Sequence, residues 1–363
     1  MVYVKEDVFA EEALNPFTKQ TEKIRRFTLS NDEQMSVQII TLGATITSIK
    51  VPDAHGKLED VTLGFDDLAG YDSELNPYMG ATVGRVCNRV ANGSFMLDGK
   101  TIKVSRNRGQ LQLHGGFVGF NKAHWQVLEV HQDGVSLSHI NPDGHEGYPG
   151  EVTATVRFTL TEDNCLHVRM EALTTKPTPI NLTNHSYFNL AGHDSGKTGL
   201  YEHTIQLNAY GITETDDNSI PTGKILPVEG TNFDLRLPSK LGDRLKQLQP
   251  ALGYDDNFCV QFTPPERVTT IARVSHAPSG RWLEIASNQP GVQLYTSNFL
   301  PDVERGEKAV SGKAGAAYAK HGAFCLETQK FPDSVNHENF PSTIVRPNDK
   351  YHHEVIYKFG RQQ

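Results

Sequence analysis

The sequence is poor in cysteine and has no long apolar run. Only four of the 363 residues are cysteines, and they lie far apart, at Cys87, Cys165, Cys259 and Cys325. A zinc ribbon or a thioredoxin-type site needs closely spaced cysteine pairs, so neither is indicated. The first residues have no basic region followed by an apolar stretch, so we expect no secretory signal and four buried, reduced thiols. No apolar stretch is long enough to cross a membrane as a helix.

The sequence also lacks a surplus of positive charge. Lys and Arg number 35 against 43 Asp and Glu, which gives a formal net charge of −8. A general nucleic-acid-binding protein is expected to carry a basic surplus, so the composition argues against that class. We therefore expect a soluble, cytoplasmic globular protein that binds neither nucleic acid nor membrane.

Helical periodicity is rare, and alternation with a period of two takes its place. Alternate residues of 152–160 are apolar, and after a short polar turn the alternation resumes over 166–172. Two such runs joined by a polar turn predict an antiparallel hairpin with one buried face. The same pattern at 35–39 and 355–359 predicts further half-buried strands.

The best helical stripe is short. Leu241, Leu245 and Leu248 fall on one face of the segment 239–249, which Ser239 could cap. The length of the chain permits two domains, but the scarcity of helix and the even spread of Gly and Pro favour one. We predict an all-β fold: a large antiparallel β-sandwich with few short helices, forming a single domain over residues 1–363.

Four segments place polar side chains where a simple strand would not. The segment 181–190 holds three Asn, a His and a Tyr, and 324–329 carries one carboxylate after an apolar run. The segment 84–90 contains two arginines, and in 113–116 a His precedes two glycines that would let a ligand approach the backbone. Taken singly, each segment is better explained by a structural role than by a functional one. For Arg85 we expect an ion pair or a strand-surface charge.

Other motifs carry less weight. The loop Gly192–Thr198 resembles a phosphate-binding loop but is one residue short between its glycines, so we expect a surface loop. His352 and His353 lie in an alternating strand, where neighbouring side chains point to opposite faces. We therefore expect neither a metal nor a cofactor.

Taken together and in this order, several segments resemble the galactose mutarotase, or aldose 1-epimerase, family. The matching segments are Gly84–Arg89, Leu113–Gly116, Asn181–Gly192, Gln289–Thr296 and Cys325–Gln329. The resemblance runs from about residue 27 to 359 and leaves roughly the first 20 residues outside. The segment Asn181–Gly192 is the most specific, whereas His145 and Asp256 depart slightly from the vertebrate-type pattern.

The resemblance implies an enzyme that interconverts the α and β anomers of a pyranose such as galactose or glucose. Ring opening removes a proton from the anomeric hydroxyl and delivers one to the ring oxygen, and the aldehyde rotates before the ring recloses. By resemblance Glu327 is the base and His185 the acid. The implied sugar-binding residues are Asn88, Arg89, His114, Ser186, Tyr187, Asp255 and Gln293. Of the tyrosines, Tyr187 and Tyr295 could be either core or sugar-facing.

Two other functions stay open at this point. A glycoside hydrolase is one, because Asp255 and Glu327 could form a carboxylate pair. A non-catalytic sugar-binding module is the other, since a fold and its pocket can persist without turnover. The acid–base pair argues against the second. We expect a monomer whose partner is a small aldose.

Overall fold

Antiparallel strands are the main secondary structure of the computed structural model, which describes residues 1–248, 252–260 and 267–362. The first strands are β1 Val2–Leu14, β2 Thr21–Asn31, β3 Ser36–Ile40, β4 Thr45–Pro52, β5 Leu58–Asp60, β6 Thr82–Val83, β7 Arg89–Val90, β8 Ser94–Leu97, β9 Lys100–Lys103, β10 Gln112–Leu113, β11 Gln126–His131, β12 Gly134–Asn141, β13 Val152–Leu160 and β14 Cys165–Thr174. They are followed by β15 Thr178–Pro179, β16 Thr183–Asn184, β17 His203–Leu207, β18 Ala209–Thr215, β19 Pro221–Pro227, β20 Ser239–Lys240, β21 Asp255–Val260, β22 Thr269–His276, β23 Arg281–Ser287, β24 Gly291–Tyr295, β25 Val310–Ser311, β26 Ala317–Tyr318, β27 Cys325–Gln329, β28 Ile344–Val345 and β29 Tyr351–Arg361.

Three large sheets organise these strands. One has nine strands in the order β11-β12-β13-β14-β29-β23-β22-β17-β20. A second runs in chain order from β1 to β5, and a third has the order β19-β18-β21-β24-β27. The described residues also form short two-stranded ribbons. The predicted all-β, antiparallel architecture with few short helices is confirmed.

The hairpin predicted from alternation is β13 and β14. Val156 pairs with Met170 and Phe158 with Val168, and all four side chains are fully buried. Arg157, which lies between Val156 and Phe158, is partly exposed, and Thr153, earlier on the same face, is exposed. Because side chains alternate across a strand, one face of this hairpin joins the core while the other meets solvent.

One apolar core joins the three large sheets. It contains Phe27 and Leu29 of β2, Val156 of the nine-stranded sheet, and Val292 and Leu294 of β24, all of them buried. Burying a side chain of this size contributes about 1.5–3 kcal/mol relative to exposure. One face of β24 therefore packs in this core, and Gln293 lies on the opposite face.

The helices are short: α1 Leu68–Asp72, α2 Gly196–Glu202 and α3 Leu241–Gln247. The predicted stripe of α3 is buried, although the last residue of the predicted segment, 249, lies outside the described residues. The predicted cap is wrong, because α3 begins after Lys240 and no side chain caps it. Ser239 instead accepts a hydrogen bond from Arg244 through its hydroxyl.

The cysteines, the histidine pair of β29 and the loop before α2 were also addressed by the sequence. All four cysteines are free and buried, as expected. His352 is partly exposed and His353 is fully buried, as their opposite faces predict. The segment Gly192–Thr198 is a loop only as far as residue 195, because α2 begins at Gly196. No helix in the described part of the chain is long and apolar enough to cross a membrane.

The first twenty residues are part of the fold. The strand β1 pairs with β2 along most of its length, so these residues form the edge of the second sheet. Beyond this strand, the ring of Phe17 lies 4.6 Å from that of His139 and 4.8 Å from that of His145. His145, one of the residues that depart from the family pattern, thus contacts the N-terminal segment.

Arg85 has a structural role with different partners from those expected. Its side chain is 2% exposed, so it is not a surface charge. Its guanidinium donates to Asn141 Oδ1 at 2.6 Å and to the carbonyl oxygens of Pro149 and Gly150, both at 2.9 Å. These acceptors are neutral, so hydrogen bonds rather than an ion pair hold the side chain. Arg85 thereby ties the segment before β7 to the loop after β12.

We expect Arg85→Leu to lower the free energy of unfolding by roughly 3 kcal/mol, because several buried acceptors lose their donor. Denaturant-induced unfolding followed by circular dichroism measures this change. Arg157→Leu is the matched control, since the Arg157 side chain is 42% exposed. Equal stabilities for the two variants would contradict the structural role of Arg85.

Candidate active site

The fold brings Glu327 and His185 together although they are far apart in sequence. His185 Nε2 lies 3.6 Å from Glu327 Oε1, and the two side chains are only 5% and 4% exposed. Glu327 lies in the middle of β27, and His185 follows β16 directly. The backbone of His185 is fixed on both sides, because its N–H donates to the Ala81 carbonyl and its carbonyl accepts from the Gly80 N–H.

One face of the third sheet supplies much of the site. Across neighbouring strands, Asn257 of β21 pairs with Gln293 of β24, and Gln293 pairs with Glu327 of β27. These three polar side chains therefore stand in one row. Leu294 and Leu326, the next residues along their strands, point to the opposite face and into the core. The same alternation thus builds the core and the site.

A hydrogen-bonded network lies beside Glu327. Gln293 Nε2 donates to Asp255 Oδ1 at 2.8 Å, and Asn88 Nδ2 donates to Gln293 Oε1 at 3.1 Å. Arg89 donates to Asp255 Oδ2 at 3.1 Å and to Asn88 Oδ1 at 3.2 Å. The side chains of Arg89 and Asp255 are 16% and 21% exposed, against 4% for Glu327. The network therefore runs from the rim of the site to its floor.

His114 joins the network through its backbone-facing nitrogen. The Asn88 N–H donates to His114 Nδ1 at 3.2 Å, so the neutral ring carries its proton on Nε2. Both Asn88 and His114 have left-handed backbones, with φ values of 59° and 50°. Such conformations in residues other than glycine are often found at functional sites.

The glycines after His114 serve a different purpose from the one expected. Gly115 has a φ of 84°, and its Cα faces the Gly84 carbonyl at a spacing that leaves no room for a Cβ. A Cβ on Gly116 would likewise collide with the Glu146 side chain. These glycines therefore allow close contact between chain segments, rather than between the backbone and a ligand.

Burial sets the protonation of the central groups. The pKa of Glu327 is raised well above its usual value by burial and by the nearby Asp255 charge, and Arg89 opposes this shift. Burial lowers the pKa of His185 to about 4, partly offset by its own backbone. Burial, with His185 and Arg89 nearby, also lowers the pKa of His114. Glu327 Oε2 is buried without a hydrogen-bond partner among the described residues, so it is free to receive a ligand.

Two tyrosine rings hold the imidazole of His185. The Tyr187 ring stacks on it at 5.0 Å with an interplanar angle of 15°, and the Tyr78 ring lies 6.0 Å away at 19°. The Tyr187 hydroxyl donates to the Pro77 carbonyl. Ser186 lies between His185 and Tyr187 in the chain, and its hydroxyl donates to Asn184 Oδ1 at 2.6 Å. The protons of both hydroxyls are thus donated to acceptors within the protein.

Tyr295, for which core and sugar-facing positions were both open, is 8% exposed and belongs to a hydrophobic cluster. Its ring meets that of Tyr187 edge to face at 6.1 Å. Its hydroxyl accepts a hydrogen bond from the Phe299 N–H at 3.0 Å. Tyr295 therefore supports Tyr187 from within the core.

Three residues near the pair were missed as functional candidates. Tyr78 also lies 4.6 Å from the His114 ring, but no sequence pattern places its loop there. Gln329 Nε2 donates to Gln293 Oε1 and Asn257 Oδ1, a role that its position two residues after Glu327 on one strand face could have suggested. Cys325 lies two residues before Glu327 on the same strand face, and its Sγ is 3.7 Å from His185 Nδ1.

The only cluster of potential metal ligands found among the described residues consists of His185, Cys325 and Glu327. Their ligand atoms lie within 4.8 Å of one another. Cys325 approaches Nδ1 of the ring, however, whereas Glu327 approaches Nε2. An imidazole binds a given ion through one nitrogen, so this geometry suits a ring held at both nitrogens better than a metal ion.

The arrangement is suited to proton transfer on a neutral, hydroxyl-rich ligand. Glu327 and His185 form a buried acid–base pair with one free carboxylate oxygen. Around it, the network offers amide, guanidinium and carboxylate groups that can both donate and accept hydrogen bonds. Since Arg89 and Asp255 carry opposite charges and form an ion pair, the rim does not select a charged ligand.

Comparison with known proteins gives consistent results. The family model described as aldose 1-epimerase matches residues 25–358. The galactose mutarotase of Bos taurus is 45% identical over 360 residues, covering 99% of each chain, so the similarity extends into the first twenty residues. The aldose 1-epimerase of Haemophilus influenzae is 35% identical over 92% of this chain and 94% of its own. The crystal structure of an aldose epimerase homologue from C. elegans superposes with a TM-score of 0.84 at 31% identity, covering 92% of this chain and 98% of the other.

Proposed function

The chain belongs to the aldose 1-epimerase family, and we propose that it opens and closes the ring of an aldose between Glu327 and His185. The protein is an aldose 1-epimerase, which interconverts the α and β anomers of sugars such as galactose and glucose. The 3.6 Å approach of His185 Nε2 to Glu327 Oε1, with both side chains buried, carries the assignment of the pair.

The pair works with a single proton in this proposal. Burial disfavours the charge on each group, raising the pKa of Glu327 and lowering that of His185. Because the two groups are so close, they titrate as one unit. In the reactive arrangement the proton is on His185 Nε2 and Glu327 is ionised.

Ring opening then transfers two protons. Glu327 takes the proton of the anomeric hydroxyl, the C1–O1 bond becomes a carbonyl, and the bond from C1 to the ring oxygen breaks. His185 Nε2 gives its proton to the ring oxygen. The pair becomes a neutral carboxylic acid and a neutral imidazole, which burial favours. Rotation about C1–C2 and the reverse transfers close the ring on the other face.

The surrounding network binds the sugar hydroxyls in this proposal. Asn88, Arg89, Asp255 and Gln293 form the polar wall, and His114 offers its Nε2–H as a donor. A site with paired donors and acceptors rejects a sugar that lacks the matching hydroxyl. Tyr187 and Ser186 complete the pocket differently. Their hydroxyls donate to protein acceptors, so we propose that they meet the sugar hydroxyls as acceptors, through their remaining lone pairs.

We also propose that the protein is a single-domain monomer located in the cytoplasm. A single domain is supported by the core that joins all three large sheets. A monomer is supported because one chain supplies every proposed site residue. The four free, buried thiols support a reducing, cytoplasmic location.

Neither rival function fits the site as well. A glycoside hydrolase would use Asp255 with Glu327 as its carboxylate pair. Both carboxylate oxygens of Asp255 accept hydrogen bonds, from Gln293 and from Arg89, which leaves neither free to act as the nucleophile or base that would partner Glu327. A non-catalytic module has no need of a buried carboxylate–imidazole pair with a free oxygen, since an unpaired buried group costs stability.

We expect Glu327→Gln to reduce kcat by about 10³-fold, because the amide cannot accept the proton, while galactose still binds. His185→Asn should cause a loss of similar size. Polarimetry of freshly dissolved α-galactose measures turnover above the spontaneous rate, and calorimetry measures binding.

The matched control is Glu284→Gln, which changes a carboxylate in β23 of the nine-stranded sheet and should keep wild-type activity. An unchanged rate in Glu327→Gln would remove Glu327 as the base, and retained activity in His185→Asn would move the acid role elsewhere, with His114 next to be tested. Cleavage of a galactoside without mutarotation would support the hydrolase instead.

The shared proton also predicts a bell-shaped dependence of kcat/KM on pH. Activity should fall at low pH, where the pair takes up a second proton with a midpoint near the lowered pKa of His185, about 4. It should fall again at high pH, where the single proton is lost with a midpoint well above the ordinary value for a glutamic acid, because burial raises the pKa of Glu327. A single limb centred near the ordinary histidine pKa of about 6.5 would contradict a shared proton.

A further inference from the structure

One strand holds the imidazole of His185 at both of its nitrogens. Cys325 and Glu327 are two residues apart on β27, so their side chains point to the same face. Cys325 Sγ lies 3.7 Å from Nδ1, and Glu327 Oε1 lies 3.6 Å from Nε2. All three side chains are buried, and Cys325 is completely so.

The sulfur beside Nδ1 is neutral. Burial, with the nearby Glu327 charge, raises the pKa of the Cys325 thiol well above its usual value, so it stays protonated at neutral pH. A thiol sulfur is a weak acceptor that brings no charge. The ring cannot easily turn away from it, because Tyr187 stacks on one of its faces.

We propose that Cys325 is a positioning residue for the acid: its neutral sulfur accepts the Nδ1–H of His185 and so leaves Nε2 as the nitrogen that releases and regains the proton. This inference rests on the proposed role of His185. When Nε2 has given its proton to the ring oxygen, the neutral ring must hold its remaining proton on Nδ1. Cys325 provides the acceptor at that position.

A neutral partner has a chemical advantage here. A carboxylate beside Nδ1 would stabilise the imidazolium, raise its pKa and weaken it as an acid. It would also place a second negative charge beside Glu327. The sulfur fixes the tautomer without either effect. His114 has the opposite tautomer, since its Nδ1 accepts the Asn88 N–H and its Nε2 is a donor. The two imidazoles of the site are thereby fitted for different tasks.

The tautomer can be measured without any turnover. ¹⁵N NMR of the protein labelled at histidine distinguishes a protonated from a bare ring nitrogen, and His185→Asn assigns the signal. At pH 7 we expect His185 to carry its proton on Nδ1 and His114 on Nε2. A His185 ring with its proton on Nε2 would overturn the inference, whatever the activity of the enzyme.

Kinetics of Cys325→Ala give the second test. One weak hydrogen bond is lost, so kcat should fall about five- to tenfold. KM should stay the same, because the polar contact of the thiol is with His185. The Nδ1–H population of His185 should fall in parallel. Cys325→Ser keeps a neutral acceptor on a shorter bond and should recover part of both.

The matched control is Cys259→Ala, which removes another fully buried thiol, two strands away on the same sheet. It should leave kcat and the His185 tautomer unchanged. If Cys325→Ala has a wild-type kcat, or if both alanine variants lose activity equally, the positioning role is wrong. Failure of His185→Asn to lose activity would instead refute the proposed acid, so the two failures are distinguishable.

Discussion

The proposed chemistry depends on the removal of water from around one carboxylate and one imidazole. Two opposite charges 3.6 Å apart in water attract each other only weakly. In a pocket where both side chains are about 95% buried, each charge is costly, and a proton passed between them changes the energy of the whole site. A sugar whose anomeric hydroxyl lies against Glu327 and whose ring oxygen lies against His185 offers the proton a route. The same burial requires that the remaining polar groups of the pocket satisfy one another, as the chain from Arg89 through Asp255 and Gln293 to Asn88 does.

Strand alternation explains how a protein fold can hold such a pair so rigidly. On β24 and β27, Val292, Leu294 and Leu326 point one way, into the largest core cluster. Gln293, Cys325 and Glu327 are among the residues that point the other way. Any shift of these strands by one residue would exchange the two sets. The stability of the core therefore fixes the register of the proposed site residues. The opposite wall is less regular: Asn88 and His114 take left-handed backbones, and glycines close to them let neighbouring segments touch.

Much of this arrangement was predictable from the sequence, for identifiable reasons. Period-two alternation revealed β13 and β14, because each has a single buried face. The segment around His185 and the strand containing Glu327 were recognisable by resemblance, since their residue types are unusual for simple strands. Other features left no local signal. The partners of Arg85 are neutral groups from three separate segments, and the loop that brings Tyr78 to His114 is fixed by tertiary contacts such as the Tyr187 hydroxyl bond to Pro77. Ser239 failed as a helix cap because its hydroxyl accepts a hydrogen bond from Arg244, a contact that no capping rule includes.

The most direct test of the central claim is a crystal structure of the Glu327→Gln variant with galactose bound. The account requires the anomeric oxygen about 3 Å from the side chain at position 327, and the ring oxygen at a similar distance from His185 Nε2. It also requires sugar hydroxyls within hydrogen-bond reach of Arg89, Asp255 and Gln293. A sugar bound with its anomeric carbon at the rim, beside Arg89 and away from both members of the pair, would contradict it.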